Sequence, residues 1–284
     1  MIPKPRASRP KPRAARPKPS EGWHGWDEYA AYYDWENART VGRRDVAFWR
    51  GLAARAKGRV LELGCGTGRV LLPVARDGRR IVGIDRSTPM LDRARAKLAR
   101  ARARLGAGAP RLRATLLRGD IRDLPCRAST FGLVMAPYGI LQSLTREADL
   151  RRTLAAVHRV LRPGALFGID LVPDVPRWSE YERRLTLKGS GPTGQPIQLV
   201  ETVRQDRKRR LTTFDQEFIE GRGRAKTSRR FSLSFRTVDL PALRRRLERA
   251  GFEVQAVLGD YDGRPWDDRA DTWVILARRP AKLP

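Results

Sequence analysis

Apolar residues along the chain follow two rhythms. From residue 59 onward, short unbroken runs of Val, Ile and Leu alternate with longer segments whose apolar positions recur every three or four residues. Unbroken runs predict strands buried on both faces, and the segments between them predict covering helices. The pattern therefore predicts an α/β chain with a mostly parallel sheet and helices on both sides. The predicted strands are RVLELGCG (59–66), RIVGIDRS (80–87), ATLLRGDI (114–121), FGLVMAPY (131–138) and ALFGIDLV (165–172). Helices are expected over 68–77, stopped by Gly78, over 89 to about 105, and over 148–161. Upstream, the aromatic and acidic segment GWHGWDEYAAYYDWENA predicts one short helix over 26–36, followed by a second over 44–57.

The rhythm changes at Pro173. QLVETVR, RLTTFDQEF and RRFSLSF lack helical periodicity and read as antiparallel strands, with 206–208 as a hairpin turn. A helix over 241–250, capped by Gly251, and strands over 252–258 and 272–278 resume the first pattern. The expected organisation is a tail (1–20), a helical segment (21–58), a core (59–172), a β insertion (173–237) and the end of the core (238–284), giving a seven-stranded sheet in all.

Composition adjusts this picture. The 284 residues include two cysteines and two histidines, too few for a disulfide scaffold, a Cys-rich zinc site or a histidine-based metal site. The longest uncharged stretch, 128–145, carries Pro, Gly, Gln, Ser and Thr and is a poor membrane span. No apolar signal region follows the charged N-terminus, so a cytoplasmic protein is expected. The net charge of +28 comes from 50 Arg and 9 Lys against 31 acidic residues. GC-rich codons favour Arg, so part of that excess reflects coding rather than an anionic partner. Non-specific polyanion association is still expected. Residues 1–20 repeat PKPRASR, PKPRAAR and PKPS, where proline excludes a helix and like charges favour an extended tail.

The most informative stretch is Val60-Leu-Glu-Leu-Gly-Cys-Gly-Thr-Gly68. Three glycines at alternate positions leave a buried strand and open a helix, so the backbone turns sharply and presents free N–H groups to a ligand. Asp85 ends the next strand, where a carboxylate accepts hydrogen bonds from ribose hydroxyls. Arg69 departs from the dinucleotide pattern GxGxxG, and no GK[ST] of a phosphate loop is present. The run Glu62 to Gly68, ExGxGxG, resembles motif I of class I S-adenosylmethionine (SAM)-dependent methyltransferases. GIDRSTPML, RGDIRDLP, FGLVMAPYGIL and LRPGALFGIDL resemble the later motifs of that family, in order. The resemblance implies a Rossmann-like methyltransferase fold and SAM as cofactor, with no metal. It implies a cofactor site built from Glu62, Gly64, Cys65, Gly66, Gly68, Asp85, Arg86, Met90, Asp120, Ile121, Ala136 and Tyr138.

The methyl acceptor is less legible. The aromatic helix with Tyr29, Tyr32 and Tyr33 is placed to cover the cofactor or simply to pack. The β insertion reads as a lid or an oligomer contact. The turn Gly259-Asp-Tyr-Asp-Gly263 offers Asp260 and Tyr261. Tyr33 and Tyr261 are the catalytic candidates, and no base is assigned. His158 and Cys65 read as structural. Three function classes compete: a small-molecule methyltransferase, an RNA or protein methyltransferase using the basic surface, and a protein that binds SAM without catalysis. Ala136-Pro137-Tyr138-Gly139 lacks the Asn or Asp that accepts from an exocyclic base amine. Neither an RNA-recognition module nor a paired-glutamate loop is visible. A small-molecule acceptor, at O, N or C, is therefore expected.

Overall fold

A computed structural model describes residues 25–40, 44–105, 112–171, 180–267, 269–270 and 272–281. The basic tail lies outside them. Two short helices, α1 (Trp26–Tyr29) and α2 (Tyr33–Asn37), precede α3 (Arg44–Arg55). The core then runs β1 (Arg59–Leu63), α4 (Leu71–Arg76), β2 (Ile81–Asp85), α5 (Thr88–Ala103), β3 (Ala114–Arg118), β4 (Phe131–Ala136), α6 (Glu147–Val160) and β5 (Leu161–Leu171). Four strands follow: β6 (Tyr181–Ser190), β7 (Pro196–Asp206), β8 (Leu211–Glu220) and β9 (Thr227–Arg236). Helix α7 (Leu240–Arg249), β10 (Glu253–Leu258) and β11 (Trp273–Arg278) complete the core.

The seven-stranded sheet has the order β3-β2-β1-β4-β5-β11-β10, with β11 antiparallel to both neighbours and the other pairings parallel. Successive residues of β1 serve opposite faces, which is why its sequence does not alternate. Leu61 and Leu63 pack with α6 and α7, whereas Val60 packs with Trp49 of α3 and Leu71 of α4. The insertion forms a separate antiparallel sheet, β6-β7-β8-β9. Its inner face meets the aromatic residues of α1 and α2, where Tyr32 stacks on Phe218 with ring centroids 4.1 Å apart.

Two expectations need correction. The single helix over 26–36 is split at Ala30–Tyr32. A continuous helix at ~100° per residue would turn Tyr32 ~200° away from Ala30, yet both are buried. The break lets each reach an apolar surface. The insertion also contains a fourth strand, β6, that the pattern did not show. It is an exposed edge interrupted by two register shifts, with Arg183 at φ 47° and Leu185 49% exposed, so its side chains carry no period of two. Among the described residues, no helix is long and apolar enough to cross a membrane.

Candidate active site

The carboxyl ends of β1, β2, β4 and β5 converge on one edge of the large sheet, where an α/β sheet accepts ligands. Leaving β1, the chain turns through Gly64 (φ 59°) and Gly66 (φ 50°), a backbone region closed to most side chains. Asp85 fixes this turn. One of its oxygens accepts the Gly66 N–H at 2.7 Å and the other the Ser87 N–H at 2.8 Å. Burial nonetheless raises its pKa, with the Ser87, Gly66 and Arg86 N–H groups opposing the rise. Ser87 then caps α5 by accepting from the Met90 N–H.

A cleft of about 330 Å³ opens over this turn. Its wall contains Gly64, Gly66, Asp85, Arg86, Met90, Asp120, Ile121 and Tyr138 of the expected cofactor residues, together with Tyr33. Asp120 is held by Arg122 at 2.7 Å and Arg86 at 3.3 Å. Burial disfavours its charge, but the Arg122 hydrogen bonds and the two guanidinium charges outweigh that and hold it below the usual carboxylate range. Glu62, Cys65, Gly68 and Ala136 are buried and do not line the cleft. A Cβ on Gly68 would lie 3.5 Å from Ala94, so that glycine meets α5 rather than the cleft. Trp26, Asp27 and Phe235 also line the cleft. They come from α1 and β9, remote in sequence, and no local motif marks them.

A second chamber, of about 1070 Å³, lies between the inserted sheet and the core. Trp26, Tyr138 and Phe235 belong to the walls of both spaces. Tyr138 (φ 60°) and Gly139 (φ 62°) form a left-handed pair after β4. Asp170, 1% exposed, accepts the Gly139 N–H at 2.8 Å and the Tyr138 N–H as well, while the Tyr261 hydroxyl donates to its other oxygen at 2.7 Å. Burial pushes the Asp170 carboxyl up to about 6, with those three donors opposing. The Arg69 guanidinium, bound to Asp45 at 2.6 and 2.7 Å, lies 5.1 Å from the Tyr138 ring centroid. Asp34 of α2 accepts from the Thr67 hydroxyl at 2.6 Å and from Lys97 at 2.6 Å, tying the N-terminal segment to the glycine turn and to α5.

Residues 60–164 match the model of a methyltransferase domain family. That span carries a methyltransferase domain, and the fold around it is that of the class I SAM-dependent methyltransferases. The chain is 29% identical over 144 residues to an uncharacterized methyltransferase of Synechocystis, a match that covers 51% of this chain and 61% of that protein. It is 28% identical over 224 residues to the cypemycin N-terminal methyltransferase of Streptomyces, covering 78% and 82%. The CcbJ methyltransferase of Streptomyces caelestis superposes with a TM-score of 0.73 at 23% identity, covering 90% of this chain and 97% of that one. The glycopeptide N-methyltransferase MtfA complexed with SAM superposes at 0.52 with 27% identity, covering 83% and 94%.

The residues of this methyltransferase domain fit SAM. The two Asp85 oxygens carry about four lone pairs and so keep acceptor capacity for a hydroxyl beyond the backbone N–H groups they hold. A Cβ on Gly66 would meet nothing nearer than 4.0 Å, so the bare backbone leaves room at the cleft floor. Glu62 acts from beneath. It is 3% exposed, and burial pushes its carboxyl up to about 8 against the opposing Arg69 charge. A carboxyl raised in the folded state stabilises that state while protonated. Its contribution is full below the ordinary value of 4.5, drains as pH rises to about 8, and is gone above. The unfolding free energy is therefore expected to fall between these pH values, by an amount on the order of a few kcal/mol, and the melting temperature with it. Glu62→Gln should flatten that slope. A full slope in the variant, read by calorimetry across the range, would assign it to another group.

Proposed function

We propose that the chain transfers the methyl group of SAM to a small-molecule nucleophile held in the second chamber. The observation that carries this reading is the junction of cleft and chamber at Trp26, Tyr138 and Phe235. SAM, once bound, supplies an electrophilic methyl on a sulfonium, which leaves by in-line displacement. Gly64, Gly66 and Asp85 would hold the nucleoside, and Ile121 and Met90 supply apolar surface beside it. Tyr138 stands where the two spaces meet, fixed from behind by Asp170.

The protein's own contribution is alignment and exclusion of water, which can lower a barrier by ~7–11 kcal/mol without a catalytic base. Tyr33 suits this role as an O–H donor, whereas the Tyr261 hydroxyl is committed to Asp170. Burial pushes the Tyr33 phenol up to about 12 and raises Tyr261 well above its ordinary range, with Asp170 adding to the second rise, so neither is a base near neutral pH. The inserted sheet gives the chamber one of its walls, which favours a small molecule over a folded macromolecule. The names of the cypemycin N-terminal methyltransferase and of MtfA favour nitrogen as the acceptor atom.

The test is to incubate the protein with methyl-labelled SAM and a fractionated cell extract. Label in the low-mass fraction is the expected result. Label confined to RNA or protein would overturn the small-molecule reading and favour the macromolecular one.

A further inference from the structure

At its centre, over Ile197–Val203 of β7 and Phe214–Phe218 of β8, the inner face of the inserted sheet is apolar with one interruption. Residues two apart on a strand share a face. On β7 the inward series is Ile197, Leu199, Glu201, Val203, and on β8 it is Phe214, Gln216, Phe218. Glu201 and Gln216 are direct register partners, flanked by Leu199↔Phe218 and Val203↔Phe214. Both are buried, at 8% and 4% exposure, and both line the chamber. Glu36 of α2 faces them from across the same space.

The hydrogen bonds of this cluster do not close. The Gln216 amide donates to Glu201 at 2.9 Å and to Glu36 Oε1 at 3.3 Å, and the Tyr181 hydroxyl donates to Glu201. Among the described residues, Glu36 Oε2 and Gln216 Oε1 remain buried without a partner at hydrogen-bond geometry, with the Tyr29 hydroxyl beside the Glu36 carboxyl. Exchanging the Gln216 amide atoms would aim its oxygen at two carboxylates, so the nitrogen faces them and the leftover Oε1 is an acceptor.

Among the described residues, no basic side chain forms an ion pair with Glu36 or Glu201. Arg184, the register partner of Glu201, lays its guanidinium over the Tyr181 ring at 5.5 Å. Arg236 pairs with Glu147 and sits five positions along β9 from Phe231, the partner of Gln216. That is ~16 Å at the rise of a strand. Burial pushes the Glu36 carboxyl up to about 7, with the Glu201 charge adding to the rise and Tyr29 and Gln216 opposing it. Two carboxylates on an apolar face are costly without a countercharge. What would complete them is a cation that also donates hydrogen bonds. No described group of three or more metal-ligating side chains exists, and a hard divalent ion would demand more oxygens than stand here.

We propose that Glu36, Glu201 and Gln216 form a seat for a protonated amino group of the acceptor, which makes the acceptor an amine-bearing small molecule. This rests on the reading of the chamber as the acceptor site. The ammonium N–H groups donate to Glu36 Oε2 and Gln216 Oε1, and its charge offsets the carboxylates. While protonated, that nitrogen has no lone pair to receive a methyl group, so the seat is a recognition contact.

The full chain, saturated with S-adenosylhomocysteine, is titrated by ligand-observed NMR with benzylamine and with benzyl alcohol at neutral pH. Benzylamine is expected to bind at least ~10-fold more tightly. Glu36→Gln and Glu201→Gln should each erase that preference while leaving S-adenosylhomocysteine affinity within about twofold. Equal binding of both probes overturns the seat and leaves the chamber reading standing, as does a preference that survives both substitutions. Binding of neither probe overturns the chamber reading and the seat with it. Should Glu201→Gln lower the melting temperature or cofactor affinity, Glu36→Gln decides alone, because Glu36 lies outside the sheet.

Discussion

Asp85→Ala is expected to weaken binding of SAM and of S-adenosylhomocysteine by ~10- to 150-fold, the range of one charge-assisted hydrogen bond. The carboxylate has two tasks. It anchors the glycine turn through the Gly66 and Ser87 N–H groups, and it keeps acceptor capacity for the cleft. Alanine removes both, whereas Asp85→Asn keeps the volume and one acceptor and should fall between. Calorimetry reads the affinity directly. Binding within about twofold of the parent chain would place the nucleoside elsewhere.

Asp170→Ala is the second large effect, and it should appear in turnover more than in cofactor affinity. Asp170 holds the left-handed Tyr138–Gly139 pair by two backbone N–H groups and is itself held by Tyr261. Without the carboxylate both N–H groups are buried unpaired, and nothing fixes the angle at which Tyr138 enters the junction. A displacement of ~1 Å at reacting atoms costs ~100-fold in rate. A loss of that order in kcat, with S-adenosylhomocysteine affinity within about threefold, is the expected result. Asp170→Asn retains an acceptor oxygen and should recover part of the rate. A fall in KM-dependent terms alone would make Asp170 a binding residue instead of a positioning one.

The core was legible because its central strands are buried on both faces and its glycine turn has few other uses. ExGxGxG followed by an aspartate at the end of the next strand sufficed to place Gly64, Gly66 and Asp85 on one wall. The proposed acceptor side was not legible, for reasons of distance and geometry. Trp26, Tyr138 and Phe235 meet from three remote segments, and only the closure of the inserted sheet over α1 brings them together. β6 escaped because an edge strand broken by register shifts owes no residue to a buried face. Glu201 and Gln216 did leave a signal. Each interrupts an apolar series of period two, and such an interruption reads as a fault until the two strands are set side by side.

Asp34 and Glu36 sit on one five-residue helix, α2, the first bonded to the glycine turn and the second facing the chamber. The span that matches the family model begins at residue 60 and therefore contains neither. A chain trimmed to residues 60–164 would keep the glycine turn and Asp85 and forfeit Trp26 and Tyr33 on one flank of the cleft and Phe235 on the other. The smallest working unit of this protein is thus expected to be larger than the span that matches the family model, because residues outside that span complete the walls of both spaces.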